Sequence, residues 1–209
     1  MGLVSRARLL AEIAEDRAED RMPPVTWRDV KRQRLQRFEV DPQHVQIVLA
    51  APECPFVAGH QGSETAARAV TAFVDGQWRI LVLGGSTGRG KSVAATWVAA
   101  SLDGVYWISA KDVRVGEAWS ESFRRALKAP ILIVDDLGRE ATEWASKEIE
   151  MLIESRFDKG KRTLATTNLH PTEGTKNFHS FYGTRLLSRI TSDKGQYVLC
   201  FGADLRGAK

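Results

Sequence analysis

The sequence predicts an α/β fold in which helices flank a five-stranded parallel sheet. Three observations carry that expectation. Short, mainly apolar runs at 78–83, 105–108, 131–134, 162–167 and 197–201 alternate with stretches of helical spacing. Most of these runs are apolar at successive positions, as strands are when helices cover both faces of a sheet. A glycine-rich octapeptide, Gly85-Ser86-Thr87-Gly88-Arg89-Gly90-Lys91-Ser92, joins the first run to an alanine-rich helical stretch. Ligands of such sheets bind at the carboxyl ends of the strands.

Taken in order, residues 5–20 read as a helix of mixed charge, and Met22-Pro23-Pro24 stops it. Thr26 is placed to cap a second helix that begins at Trp27. From 21 to 38 the charge is basic, with Arg21, Arg28, Lys31, Arg32, Arg34 and Arg37 against Asp29. A looser stretch with Pro42, Pro52, Pro55 and Gly59 follows. Residues 1–60 therefore read as a short helical extension and 61–209 as the core domain. In the core, helices are expected at 65–74, 92–100, 110–127, 143–158 and 178–190. The helix at 143–158 rests on Ala145, Ile149, Leu152, Ile153 and Phe157 at helical spacing, and Gly160 ends it. No helical lid is expected after the fifth strand.

Composition narrows the class further. Of 209 residues, 43% are hydrophobic and 27% charged, an ordinary globular balance. No apolar run approaches the roughly 20 residues that span a bilayer, and the N-terminus lacks a signal-peptide pattern. A cytoplasmic protein without a membrane partner is expected. The two cysteines, Cys54 and Cys200, form no C-x-x-C pair, so no zinc site is encoded. The net charge of +4 permits nucleic-acid contact without demonstrating it.

The octapeptide matches G-x-x-x-x-G-K-[ST], the phosphate-binding P-loop. In that motif the backbone of Gly85, Ser86, Thr87, Gly88, Arg89 and Gly90 wraps a phosphate chain. Lys91 reaches the β- and γ-phosphates and the Ser92 hydroxyl ligates Mg²⁺. ATP and Mg²⁺ are the cofactors expected. Ile131–Val134 followed by Asp135 and Asp136 is a Walker-B pattern: Asp135 would hold the Mg²⁺ shell and Asp136 would orient or deprotonate a water. A strand predicted between the two motifs favours the P-loop class whose Walker strands are not adjacent, which includes AAA+, RecA-like and ABC ATPases. Asn168 ends the fourth apolar run, where an amide can meet the γ-phosphate and the attacking water. Arg185 and Arg189 share one face of the last helix, and their guanidinium forks suit phosphate oxygens. Arg206 could also approach phosphate.

Together these residues resemble the AAA+ ATPases of the DnaC/DnaI helicase-loader and IstB transposition-helper group. The resemblance rests on Gly85–Ser92, Asp135-Asp136-Leu137-Gly138-Arg139-Glu140, Thr166-Thr167-Asn168-Leu169, the Arg185-x-x-x-Arg189 pair and Gly202-x-Asp204-Leu205-Arg206. It implies a P-loop core without a lid and head-to-tail self-association in a ring or open spiral. It also implies ATP held between subunits, Asn168 as the sensor and Arg189 supplied in trans. The expected activity is slow ATP hydrolysis, stimulated by DNA or a partner. The leading expectation is a loader of a replicative hexameric helicase onto single-stranded DNA. The alternative is an IstB-like helper acting on duplex DNA, with a small-molecule kinase and a passive ATP-binding module further behind. Lys111, Arg114, Arg124, Arg125 and Lys128 form the candidate DNA contact. The segment from Thr26 to Phe38 could engage a partner, bind nucleic acid or cover its own core.

Overall fold

The computed structural model describes residues 25–50, 52–54 and 64–201. The helix expected at 5–20 and the site residue Arg206 lie outside them. The elements are α1 (Trp27–Leu35), α2 (Pro42–Ala50), α3 (Glu64–Val74), β1 (Ile80–Gly84), α4 (Lys91–Ser101), β2 (Val105–Ser109), α5 (Glu117–Lys128), β3 (Ile131–Leu137), α6 (Glu143–Asp158), β4 (Arg162–Thr167), α7 (Phe178–Ile190) and β5 (Gly195–Leu199). All five strands pair in parallel, in the order β2-β3-β4-β1-β5. β4 therefore separates β1, which carries the P-loop, from β3, which carries the paired acids.

Side chains alternate across a strand, and the two faces feed two cores. Leu81 and Leu83 of β1, with Ile131 and Ile133 of β3, pack under α3 and α4. Ile80, Val82, Leu132 and Val134 pack under α5, α6 and α7. Burial on both faces explains why these strands are continuously apolar.

The structure departs from the sequence expectation at several boundaries, among them β1, which begins at Ile80, and β3, which runs on to Leu137. The fifth strand occupies Gly195–Leu199. The expected helix at 110–127 is a 3₁₀ turn at Ala110–Asp112, then a break at Gly116, then α5. The stretch that begins at Pro42 holds a helix rather than a loop. Pro42 occupies its first position, where a missing N–H costs nothing, and the Asp41 carboxylate accepts from Gln43 N–H at 2.8 Å.

α1 begins as expected from Thr26, whose hydroxyl accepts from Asp29 N–H in a reciprocal capping box. It lies against α4: Leu35 joins the core under the sheet, and Phe38 meets the Trp107 ring at 6.2 Å. The Arg34 guanidinium donates to both Asp103 carboxylate oxygens and to Ala100 O near the end of α4. The apolar side chains of this segment thus cover the P-loop helix, leaving Trp27 partly exposed. Leu35→Ala should lower stability by about 2–4 kcal/mol, the cost of truncating a buried leucine. A urea denaturation midpoint equal to wild type would show that α1 packs loosely.

Candidate functional site

The P-loop follows β1 and ends at the first turn of α4. Gly85 has φ 129°, and a Cβ there would lie 2.6 Å from Cys200 O. Gly90 caps α4 in the left-handed region with φ 74°, which side chains resist. The turn therefore needs these glycines to bring its N–H groups towards one point at the helix N-terminus, where anions are favoured.

Lys91 draws the site together. Its ammonium donates to Gly85 O at 2.7 Å, Ser86 O at 2.8 Å and Asn168 Oδ1 at 2.9 Å. Asn168, 77 positions away, thus stands beside the P-loop lysine. The Ser92 hydroxyl donates to Asp135 Oδ1 at 3.2 Å, so the third segment meets the first. Burial pushes the Asp135 carboxyl above its ordinary range. The Asp136 charge adds to this, while hydrogen bonds from Thr166 and Ser92 pull the other way. Asp136 is the only non-glycine at positive φ among the described residues, at 62°. Its carboxylate faces Arg139 at 3.3 Å.

These residues fit a nucleotide triphosphate with a divalent cation. The lysine spends its hydrogens on neutral oxygens that charged phosphate oxygens would replace. A buried carboxylate beside a hydroxyl is an oxygen pair for a hard cation. No group of three His, Cys, Asp or Glu among the described residues could hold a metal alone. The rest of a Mg²⁺ shell would come from phosphate and water, as Mg²⁺ usually requires. Two clefts open at the carboxyl ends of the strands. One of about 430 Å³ lies between residues 37–44 and the ends of β2 and β3, and contains Asp135 and Asp136. The other, about 460 Å³, is bounded by Gly85, Ser86, Asn168 and Phe201.

Arg185 and Arg189 are placed elsewhere. α7 starts near the carboxyl ends of the strands, where Phe178 N–H donates to His170 O at 2.7 Å. It ends beside the start of β5. Arg189 pairs there with Asp158 at 2.9 Å and Glu154 at 3.0 Å, and its side chain is 16% exposed. Arg185 meets Glu154 at 3.3 Å with its side chain 70% exposed. The five-residue β1 spans roughly 16 Å, beyond the reach of Arg189 to the phosphate cradle of its own chain. Between the two arginines and the nearer residues, α7 changes direction at Gly183.

Of the candidate DNA-contacting residues, Lys111 sits in the 3₁₀ turn and Arg114 donates to Val113 O just after it. Arg124 and Arg125 both pair with Glu121 on α5, which ends at Lys128. Cys54 and Cys200 are buried and neither forms a disulfide; burial pushes the Cys200 thiol up to about 11.

Sequence reasoning passed over three residues of the site. Thr166 and Thr167 reach across from β4 to the acidic turn. Tyr182, fully buried, accepts from Gly138 N–H at 2.8 Å and donates to Glu140. The Thr-Thr pair directly before Asn168 was visible, but not its register against β3. Tyr182 carries no local signal.

The sheet is a five-stranded parallel one in the order β2-β3-β4-β1-β5, with the P-loop after β1 and the acids at the end of β3, and this α/β fold is shared with solved DNA-replication proteins. No family model and no curated protein matches the sequence. Among solved structures, the DnaC helicase loader is similar at 20% identity, over 77% of this chain and 100% of its own, with a TM-score of 0.60. DnaI is similar at 22% identity, over 74% of this chain and 90% of its own, with a TM-score of 0.55. AMPPCP-bound DnaA from Aquifex aeolicus is similar at 17% identity over 81% of this chain, with a TM-score of 0.58, and the match covers 54% of the DnaA chain. The chain spans about half the length of a DNA replication initiation factor and of two DnaA chains that it matches.

Proposed function

We propose that this chain binds and slowly hydrolyses ATP with Mg²⁺, as a DNA-replication accessory factor that loads a hexameric helicase onto single-stranded DNA. The observation that carries the ATPase reading is the meeting of Lys91, Asn168, Ser92 and Asp135 from three separate segments. The loader reading is supported by similarity in fold to the DnaC helicase loader and DnaI. In this reading residues 85–92 hold the phosphates, and Ser92 and Asp135 hold Mg²⁺, which supplies charge to offset that developing on the phosphoryl oxygens. Asp136 orients water and Asn168 contacts the γ-phosphate. In this reading 61–209 form the ATPase core, and the helices α1 and α2 before it pack on that core through Leu35 and Val48.

The position of the arginines supports action between subunits. A guanidinium at the amino-terminal edge of the sheet can meet only another subunit's phosphates. Head-to-tail contact of that kind generates a ring or a spiral. In this arrangement Arg189 serves as the finger, and Arg185 beside it contributes a second positive charge.

The test is ATP turnover with single-stranded or duplex DNA at two salt concentrations, with Arg185→Ala and Arg189→Ala alongside. Arg189→Ala should lower stimulated turnover by about 100-fold or more and poison wild type when mixed with it. Single-stranded DNA should stimulate, and salt should weaken the effect. Stimulation by duplex alone would favour the transposition-helper reading. A silent Arg189→Ala with no response to DNA would sink the assembly model.

A further inference from the structure

The pairing of β3 with β4 breaks beside the acidic pair. Val134 is opposite Ala165, and the next aligned pair is Leu137 with Thr167. Two residues, Asp135 and Asp136, therefore stand opposite one, Thr166. This is a β-bulge, a device that re-aims side chains at the cost of ladder bonds. The Thr166 hydroxyl fills the gap. Its oxygen accepts from Asp136 N–H at 2.9 Å, and its proton goes to Asp135 Oδ1. Thr166 is fully buried, so this hydroxyl has no bulk water to turn to. Thr167 resumes the pairing by donating to Leu137 O at 2.7 Å.

We propose that Thr166 is a positioning residue for the Mg²⁺-holding carboxylate, fixing the Asp135 rotamer while holding Asp136 in its left-handed backbone conformation. The proposal rests on the nucleotide reading above. One hydroxyl constrains both acids, because the same oxygen that orients Asp135 also anchors the peptide that leads into Asp136. Ser92 approaches the same Asp135 oxygen from the P-loop. The threonine therefore sets the angle at which that carboxylate meets whatever Ser92 also binds. Residues in this relation to a metal ligand matter to metal affinity more than to fold.

The experiment titrates mant-ATP binding against Mg²⁺, and separately in EDTA, for wild type, Thr166→Val, Thr166→Ser and Thr167→Val. Thr166→Val should raise the Mg²⁺ midpoint by about 10- to 100-fold, with affinity in EDTA unchanged. Thr166→Ser should restore the wild-type midpoint. Thr167→Val, equally buried but bonded only to backbone, should leave it alone. If Thr166→Val does not fold, Thr166→Ala replaces it, since its smaller side chain leaves room for water. An unchanged midpoint in the hydroxyl-free variant, or equal impairment in Thr167→Val, would overturn the proposal. Wild type that binds no mant-ATP would overturn the nucleotide reading and this one with it. A Mg²⁺-dependent gain that survives loss of the hydroxyl would overturn this one alone.

Discussion

Lys91→Ala should weaken ATP binding by about 100-fold or more, the effect of losing roughly 3 kcal/mol of charge-assisted bonding to phosphate. The Lys91 ammonium donates to Gly85 O, Ser86 O and Asn168 Oδ1. All three acceptors are neutral. A triphosphate would offer charged oxygens in their place, to which an ammonium bonds more strongly. Alanine removes the charge but leaves the loop carbonyls close to solvent, so the variant should fold. Thermal melting provides the measurement. Wild type should melt at a higher temperature with Mg²⁺ and ATP, as ligand linkage requires, and Lys91→Ala should not respond. Equal shifts in both proteins would place the nucleotide somewhere other than the P-loop.

That prediction could be written from the sequence, because the motif is local. Strand, turn and helix follow one another without interruption from Ile80 to Ser101, and each phosphate-facing group belongs to the turn or the residue after it. The strand order was partly legible, since a strand predicted between the two motifs favours a sheet in which β1 and β3 are not adjacent, but that strand is β2 at the sheet edge, and it is β4 that separates them. The α2 helix was not legible, because the stretch with Pro42, Pro52, Pro55 and Gly59 reads as loose. Asp41 before it is in fact the capping residue that makes proline welcome. The position of Asn168 was inferable from its strand end, but its contact with Lys91 depends on β4 lying next to β1, which only the pairing reveals. The setting of the two arginines was not legible at all. Their helix runs back along the sheet, and the carboxylates they meet, Glu154 and Asp158, sit on α6 without any pattern to announce them.

Arg156 is the extreme case of this, and its replacement should have the largest effect on stability. In the sequence it is one more charged residue near the end of a helix. In the fold it is 0% exposed. Its guanidinium donates to Thr163 Oγ1 at 3.1 Å, Ala129 O at 2.9 Å and Arg162 O at 2.6 Å, and also to Ala126 O. Ala126 and Ala129 lie at the carboxyl end of α5, where helix carbonyls lack internal partners and a positive charge is favoured. Arg162 and Thr163 begin β4. One side chain thus ties the end of α5 to the amino-terminal edge of the sheet. Burial lowers its pKa to about 10, so it keeps its proton at neutral pH. Arg156→Met fills similar volume but leaves several buried carbonyls unpaired, which should cost about 3–5 kcal/mol. Arg156→Lys should recover only part of this, because an ammonium cannot fork between two elements. Urea denaturation measures the loss. Folded Arg156→Met should still bind ATP normally, since the site lies at the opposite edge of the sheet. If the methionine variant were as stable as wild type, water would have to satisfy those carbonyls, and the guanidinium would not be what joins α5 to β4.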